Sequence, residues 1–334
     1  MEQHIRESIN DELVKQAGQL YDIDFKEIKF HGGFESFVYI YKKNNIEYIL
    51  RLVHSDHRIY EHVLGELEFI DYLARNGACV STVILSKNNE IVEKLKINDN
   101  DYFSVSAFVR GLGDKVGEEL NKPEFWENLG LQIALLHKLT KDFNPAHRRT
   151  AWEEETLYQI ASKVLINKEK PILVKLNNMI TKISKFPKNK DNYGLIHTDL
   201  HLGNMVIDKK GKLTFFDFDD AAYKHFISDI AIVIFYHFFF TDLATEAMNE
   251  RTIWILNNFL KGYKKENLLA KTEFLRLHDF LKLRELTLYT VIIAGGPEVF
   301  NSNWGQKFLA KYRDKIINEE PFIDLEYVLS KLEY

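Results

Sequence analysis

Apolar and polar positions follow one rhythm over the first third of the chain and another over the rest. Residues 30–41 and 46–53 are rich in aromatic and β-branched side chains, which predicts two strands. Asn44-Asn45 lies between them, and asparagine tolerates the positive φ of a tight hairpin turn. Ile59, Val63, Leu67, Ile70 and Leu73 then recur at helical spacing, predicting a helix over 58–75 that stops at Gly77. Two more strand-like runs, 80–85 and 102–109, lead into Arg110-Gly111-Leu112-Gly113.

Beyond this point the period is helical. Phe125, Leu129, Ile133 and Leu136 make one stripe, and amphipathic segments fill 157–184. The exception is a short β-like island, 195–218, in which Met205-Val206-Ile207 and Leu213-Thr214-Phe215-Phe216 flank the turn 208–211. The longest apolar run, 230–240, is interrupted by His237 and bounded by Asp229 and Asp242. It is far shorter than the ~20 residues a bilayer requires, so it predicts a buried helix. Neither a repeat nor a low-complexity tract is visible.

Composition narrows the function classes. The 334 residues, 46% hydrophobic, are enough for one large domain or two lobes around a shared cleft. The net charge is −5 and the basic residues are dispersed, which argues against a nucleic-acid partner. The single cysteine, Cys79, cannot make an intramolecular disulfide and fits a reducing compartment. The polar N-terminus has no apolar leader core. The expectation is a cytoplasmic protein without a membrane partner.

The densest chemistry lies in Ile196-His197-Thr198-Asp199-Leu200-His201-Leu202-Gly203-Asn204, followed thirteen residues after Asn204 by Asp217 in Phe216-Asp217-Phe218-Asp219. The pattern HxDxHxxN followed by an Asp-Phe-Asp element resembles the aminoglycoside phosphotransferase and choline kinase-like family, and the resemblance extends over most of the chain. It implies an α+β, protein kinase-like two-lobed fold. A small antiparallel sheet with one helix would form a nucleotide-binding lobe, residues 1–108. A larger, mainly helical catalytic lobe would follow at 109–334. Phosphoryl transfer depends on positioning and charge neutralisation rather than on covalent catalysis. Asn204 and Asp217 suit a magnesium ion, which favours hard oxygens. Asp199 suits the carboxylate that orients the acceptor hydroxyl and takes its proton. By the resemblance, His197 and His201 support the loop, and Asp229 braces it. A competing reading has His197, Asp199 and His201 alternating on a strand as ligands of a transition metal in a metallohydrolase.

Upstream, Phe30-His31-Gly32-Gly33-Phe34-Glu35-Ser36-Phe37-Val38 resembles the family's phosphate-covering loop, where glycines let backbone N–H groups approach phosphate oxygens. The family usually carries a lysine on the third strand, and Arg51 stands at that position here, a departure that keeps the charge but changes its shape. Glu66 is the expected partner, at the edge of the helix stripe, with Glu68 the alternative in another register. By resemblance, 106–111 is the inter-lobe hinge, with Ala107 and Phe108 at the adenine edge, and Val38, Ile49, Phe108, Val206 and Phe216 sandwiching the base. The implied cofactors are ATP and Mg2+, and the implied partner is a small-molecule hydroxyl substrate. Glu154, Asp219, Asp220 and Glu285 suggest an acceptor that also bears an amine. Trp152 and Tyr289 are further candidate contacts. A stress-type protein kinase or a catalytically retired nucleotide-binding module would share these motifs.

Overall fold

The structure is a computed structural model that describes residues 3–239 and 241–333. The chain gathers into two compact units, which it enters more than once. Residues up to Asp114 belong to the first, together with Phe143–Arg149 and Met205–Asp219. The second comprises Lys115–Asp142, Thr150–Asn204 and Asp220 onward.

The first unit opens with helices α1 (Gln3–Ser8) and α2 (Asp11–Gln19), neither foreseen in the sequence. Strands β1 (Lys29–Gly32), β2 (Phe37–Lys43) and β3 (Ile46–His54) follow, then helix α3 (Tyr60–Arg75) and strands β4 (Val83–Ile84), β5 (Glu93–Lys96) and β6 (Tyr102–Val109). All pair antiparallel in the order β1-β2-β3-β6-β4, with β5 also on β6. Asn44 and Asn45 turn the β2–β3 hairpin at φ 52° and 61°, the left-handed backbone that asparagine accepts. Phe37, Tyr39 and Tyr41 point to one face of β2 and pack with Leu50 and Leu52 of β3 and Phe103, Val105 and Ala107 of β6. The period of two therefore leaves Val38, Ile49 and Arg51 on the opposite face.

The expected strand over 80–85 is reduced to β4, because Val80 bridges instead to Phe215. That bridge attaches the hairpin of β8 (Met205–Ile207) and β9 (Leu213–Phe215), also part of the first unit. Asp114 pairs with Ile207 on its other side. Gly111 lies against this hairpin: a Cβ there would meet Val206 at 2.9 Å and Thr214 at 3.1 Å, so any side chain would push the hairpin away.

The second unit is helical around one small ribbon. Helix α4 (Pro123–Thr140) buries the predicted stripe, and the 157–184 segment is two helices, α5 (Thr156–Val164) and α6 (Lys170–Ile183), broken by residues 165–169. Strand β7 (Tyr193–Ile196) pairs antiparallel with β10 (Ala222–His225), a strand too short and mixed to be seen in the sequence. Helix α7 (Ile227–His237) is the apolar run, buried from Ile227 to Phe235; Phe240 lies outside the described residues. Helices α8 (Thr245–Tyr263), α9 (Lys271–Phe274), α10 (Leu277–Ala294), α11 (Gly296–Phe300), α12 (Asn303–Ile317) and α13 (Leu325–Ser330) complete the unit. No helix among the described residues is long and apolar enough to cross a membrane.

Candidate active site

In the second unit the loop after β7 carries His197, Asp199, His201 and Asn204. Thr198 adopts φ 62°, a costly backbone for a β-branched residue. It is held by two hydrogen bonds: its N–H donates to Asp229 Oδ1 at 2.9 Å, and its hydroxyl donates to the Asp220 carbonyl. Asp229 is itself buried, with Oδ2 3.2 Å from Nε2 of the buried His137. If that nitrogen donates, His137 Nδ1 accepts from the Tyr263 hydroxyl at 2.8 Å, and the network closes without an unpaired proton. Asp229 thus occupies the bracing position expected from the sequence, while His137 and Tyr263 were not anticipated.

The loop geometry converges on Asp199. Its Oδ1 accepts from Arg284 of α10, and its Oδ2 accepts from Asn204 Nδ2 at 3.2 Å and faces His201 Nε2 at 3.4 Å. The same Asn204 nitrogen donates to the Asp199 carbonyl at 3.0 Å, so its amide oxygen is turned away from Asp199. Burial alone would raise the Asp199 pKa, but Arg284, His201 and His197 outweigh it and hold the carboxylate down, at about 2. His197 is buried, and its Nδ1 lies 3.4 Å from the Asp199 N–H. His201 accepts from the Gly203 N–H at 2.9 Å and packs on the Tyr236 ring at 4.7 Å. Arg284 also donates to the Tyr236 hydroxyl and lies over its ring. Arg284 is the one arginine of α10, but nothing local in the sequence tied it to residue 199.

The metallohydrolase reading of this loop does not fit. Its histidines and aspartate do not converge as a ligand set. Among the described residues, the three-residue group whose ligand atoms all lie within 4.8 Å of one another is Glu35, His57 and Asp219, in the first unit. Those three are an ion-pair cluster: His57 lies 2.8 Å from Asp219 and 3.4 Å from Glu35, and Arg58 lies 3.3 Å from Asp219. Burial would lower the His57 pKa, yet Asp219 and Glu35 raise it above the usual imidazole range.

The first unit also holds the other predicted residues. Arg51 Nη1 and Nη2 each donate to Glu66 at 2.8 Å, a bidentate pair with side chains 7% and 0% exposed. The helix register therefore selects Glu66, and Glu68 turns instead to His147. The Arg51 guanidinium lies 5.3 Å from the Phe108 ring centre. Burial opposes its charge, but Glu66, Asp219 and Asp217 outweigh that and push its pKa further up. Asp217 is exposed at φ 64° just past β9. Gly32 and Gly33 have φ 141° and 128°, and a Cβ on Gly33 would meet the Ser36 carbonyl at 1.9 Å, so a side chain there would break the loop. Val38, Ile49, Val206 and Phe216 are half-buried, whereas Ala107 and Phe108 are buried.

The carboxylates invoked for an amine have partners within the structure. Asp219 is taken by His57 and Arg58, Glu154 accepts from the Ala151 N–H at 2.9 Å, and the buried Glu285 pairs with Lys282. Tyr289 donates to Glu169 at 2.7 Å. Asp220 lies near enough to Arg284 to favour its charge, after Tyr236 and Asp199.

Residues 27–263 match the profile of the phosphotransferase enzyme family. The chain belongs to that family. It is a phosphotransferase whose acceptor is an alcohol hydroxyl of a small molecule. Along 325 residues it is 30% identical to the amicoumacin kinase of Bacillus subtilis (strain 168), covering 95% of both chains. It superposes on the solved structure of an amicoumacin kinase in complex with AMP-PNP, Ca2+ and Ami with a TM-score of 0.89 and 26% identity, covering 98% of this chain and 99% of that one. A microcompartment-associated aminopropanol kinase gives a TM-score of 0.72 at 19% identity, covering 97% and 99%, which bears on the fold alone. These likenesses establish the protein kinase-like α+β fold expected from the sequence.

Proposed function

We propose that this phosphotransferase moves the γ-phosphate of ATP to a hydroxyl of a small molecule, with amicoumacin the first acceptor to test. The observation that carries the reading is Asp199, held ionised and oriented by Arg284, Asn204 and His201. A carboxylate with so low a pKa is a weak base. It suits the loose transition state of phosphoryl transfer, in which the base orients the hydroxyl and receives its proton late. His197 and His201 hold the loop rather than react.

On the nucleotide side, Gly32 and Gly33 would cover the phosphates, while Val38, Ile49, Ala107, Phe108, Val206 and Phe216 would hold the base. Arg51, fixed by Glu66, would supply the positive charge that a lysine supplies in relatives. The oxygen-bearing side chains of Asn204 and Asp217 fit a hard divalent cation: the Asn204 nitrogen is committed to Asp199, which leaves its oxygen for the metal. Magnesium bound there would neutralise phosphate charge. The lobes doing this work would be 1–108 and 109–334.

The test is ADP release with ATP and magnesium against amicoumacin, amino alcohols, amino sugars and neutral alcohols, with a protein serine substrate included. Turnover of a small hydroxyl compound is expected. Phosphorylation of the protein alone, or no ADP release from any of them, would sink the reading.

A further inference from the structure

The segment Phe143–Arg149 follows α4 in the chain yet belongs to the first unit, where it is seated along α3. Glu68 of that helix accepts from the His147 N–H at 3.0 Å and lies 2.6 Å from its Nδ1. The Phe143 ring lies 5.1 Å from the Phe69 ring and 5.0 Å from that of Tyr72. A Cβ on Gly65 would meet the His147 carbonyl at 2.4 Å, so the segment packs against the helix backbone itself.

The seat ends at Arg149, which is 2% exposed. Its Nη1 donates to the His62 carbonyl in the first turn of α3 at 3.0 Å, and its Nη2 donates to the Asp219 carbonyl. In an α-helix the carbonyl of residue 62 also takes the N–H of residue 66, four positions on. One end of the Arg149 fork therefore meets the backbone turn that presents Glu66 to Arg51. The other end meets the chain two residues past Asp217. That stretch is pinned twice more on the same unit. Phe218 meets the Phe69 ring edge-on at 6.1 Å, and the Asp219 carboxylate lies 2.8 Å from His57 and 3.3 Å from Arg58.

The two acceptors account for the residue type. Carbonyls on separate elements can be joined by one planar fork of donors, and a guanidinium keeps its charge when buried. A lysine offers a single point donor in its place. Asp217, at φ 64°, also holds a backbone conformation that its surroundings must impose. We propose that Arg149 is a positioning residue for phosphoryl transfer. By bonding α3 and residue 219 at once, it sets Asp217 and the Arg51–Glu66 pair at the separation that lets a metal ion and a guanidinium meet the same phosphates. Arg149 acts through these backbones and not on the phosphates. The proposal rests on reading Asp217 as a metal ligand.

The test measures ATP affinity by calorimetry, with and without magnesium, in the wild type, Arg149→Met, Arg149→Lys, Asp217→Ala and Glu68→Gln. Glu68→Gln is the control, since it loosens the same segment on the same helix but leaves both Arg149 bonds. Arg149→Met should cut the magnesium-dependent gain in affinity about ten-fold, as loss of one hydrogen bond from a charged donor implies. Magnesium-free affinity should change little. Arg149→Lys should recover part of the gain, and Glu68→Gln should keep all of it. If Arg149→Met does not fold, Arg149→Lys carries the test, because it retains a cation and one of the two bonds. A gain unchanged in the folded Arg149 variants, or reduced as much by Glu68→Gln, would overturn the proposal, and its loss in Asp217→Ala would leave the metal reading intact. A gain that survives Asp217→Ala would instead remove the metal reading, and the positioning role with it.

Discussion

Arg51→Ala strips the buried Glu66 carboxylate of both guanidinium donors, each at 2.8 Å, in a site where Glu66 is 0% exposed. Removing one member of a buried pair costs ~3–5 kcal/mol, because the remaining charge is neither solvated nor paired. Arg51→Lys keeps the charge but can make only one of the two bonds, so about 1.5–3 kcal/mol is lost. The double variant Arg51→Met/Glu66→Leu removes the uncompensated charge altogether and should be far less damaging than Arg51→Ala, as replaced buried pairs are. The assay is urea unfolding followed by circular dichroism, with hydrogen exchange of the β3 amides to confirm that the first unit is affected. With an m-value of about 2 kcal/mol/M, a loss of ~3–5 kcal/mol lowers the midpoint by roughly 1.5–2.5 M. The reasoning fails if Arg51→Ala moves the midpoint by less than about 0.5 M. It also fails if the double variant is as unstable as the single variants Arg51→Met and Glu66→Leu added together, since additivity would mean the side chains do not interact.

Four further outcomes address the chemistry. Asp199→Asn should reduce phosphorylation by about 10²–10⁴-fold while ATP affinity measured by calorimetry stays put, and near-normal turnover would exclude Asp199 as the proton acceptor. Asp217→Ala should remove the dependence of ATP affinity on magnesium; unchanged dependence would reassign the metal ligand. The Asp199 carboxyl, held at about 2, should stay ionised at every working pH, and its contribution to stability should be present above the ordinary carboxylate range and lost only as pH falls toward that value. Arg284→Leu removes a cation that lowers this pKa, so the acid limb of kcat should move to higher pH, and an unmoved limb would show that Arg284 does not govern the base.

The elements that the sequence announced are those whose reason is local. The β2–β3 hairpin is written in its alternation and in Asn44-Asn45, and helix α3 in its apolar stripe and Gly77. The cluster in the loop after β7 was legible because its side chains meet within a few residues of one another: Asn204 reaches Asp199, and His201 faces it. What stayed hidden depends on contacts distant in sequence. Arg284 reaches Asp199 across 85 residues, and His137 reaches Asp229 across 92. No spacing rule connects such pairs. Strand β10 was missed for the same reason, since Ala222–His225 is extended only because β7 pairs with it. The surroundings of the carboxylates were hidden as well: composition shows that Glu154, Asp219 and Glu285 exist, but not that the Ala151 N–H, His57, Arg58 and Lys282 are their partners.

Two backbone strains show why the loop needed that distant support. Thr198 and Asp217 take φ 62° and 64°, each beside a residue or at a residue proposed to act. Conformations of this kind cost about 1–3 kcal/mol each and persist only where the surroundings over-determine them. At Thr198 the over-determination is visible. Asp229 takes its N–H, the Asp220 carbonyl takes its hydroxyl, and His137 with Tyr263 fixes Asp229 from behind. A glycine at 198 would relieve the strain but lose the hydroxyl bond and loosen the next residue, Asp199. Threonine in a strained conformation is therefore better explained by orientation than by stability: its side chain ties the loop to residue 220 immediately before Asp199, the proposed base. The buried network carries that support outward from the loop, through Asp229 of α7 to His137 of α4 and Tyr263 of α8.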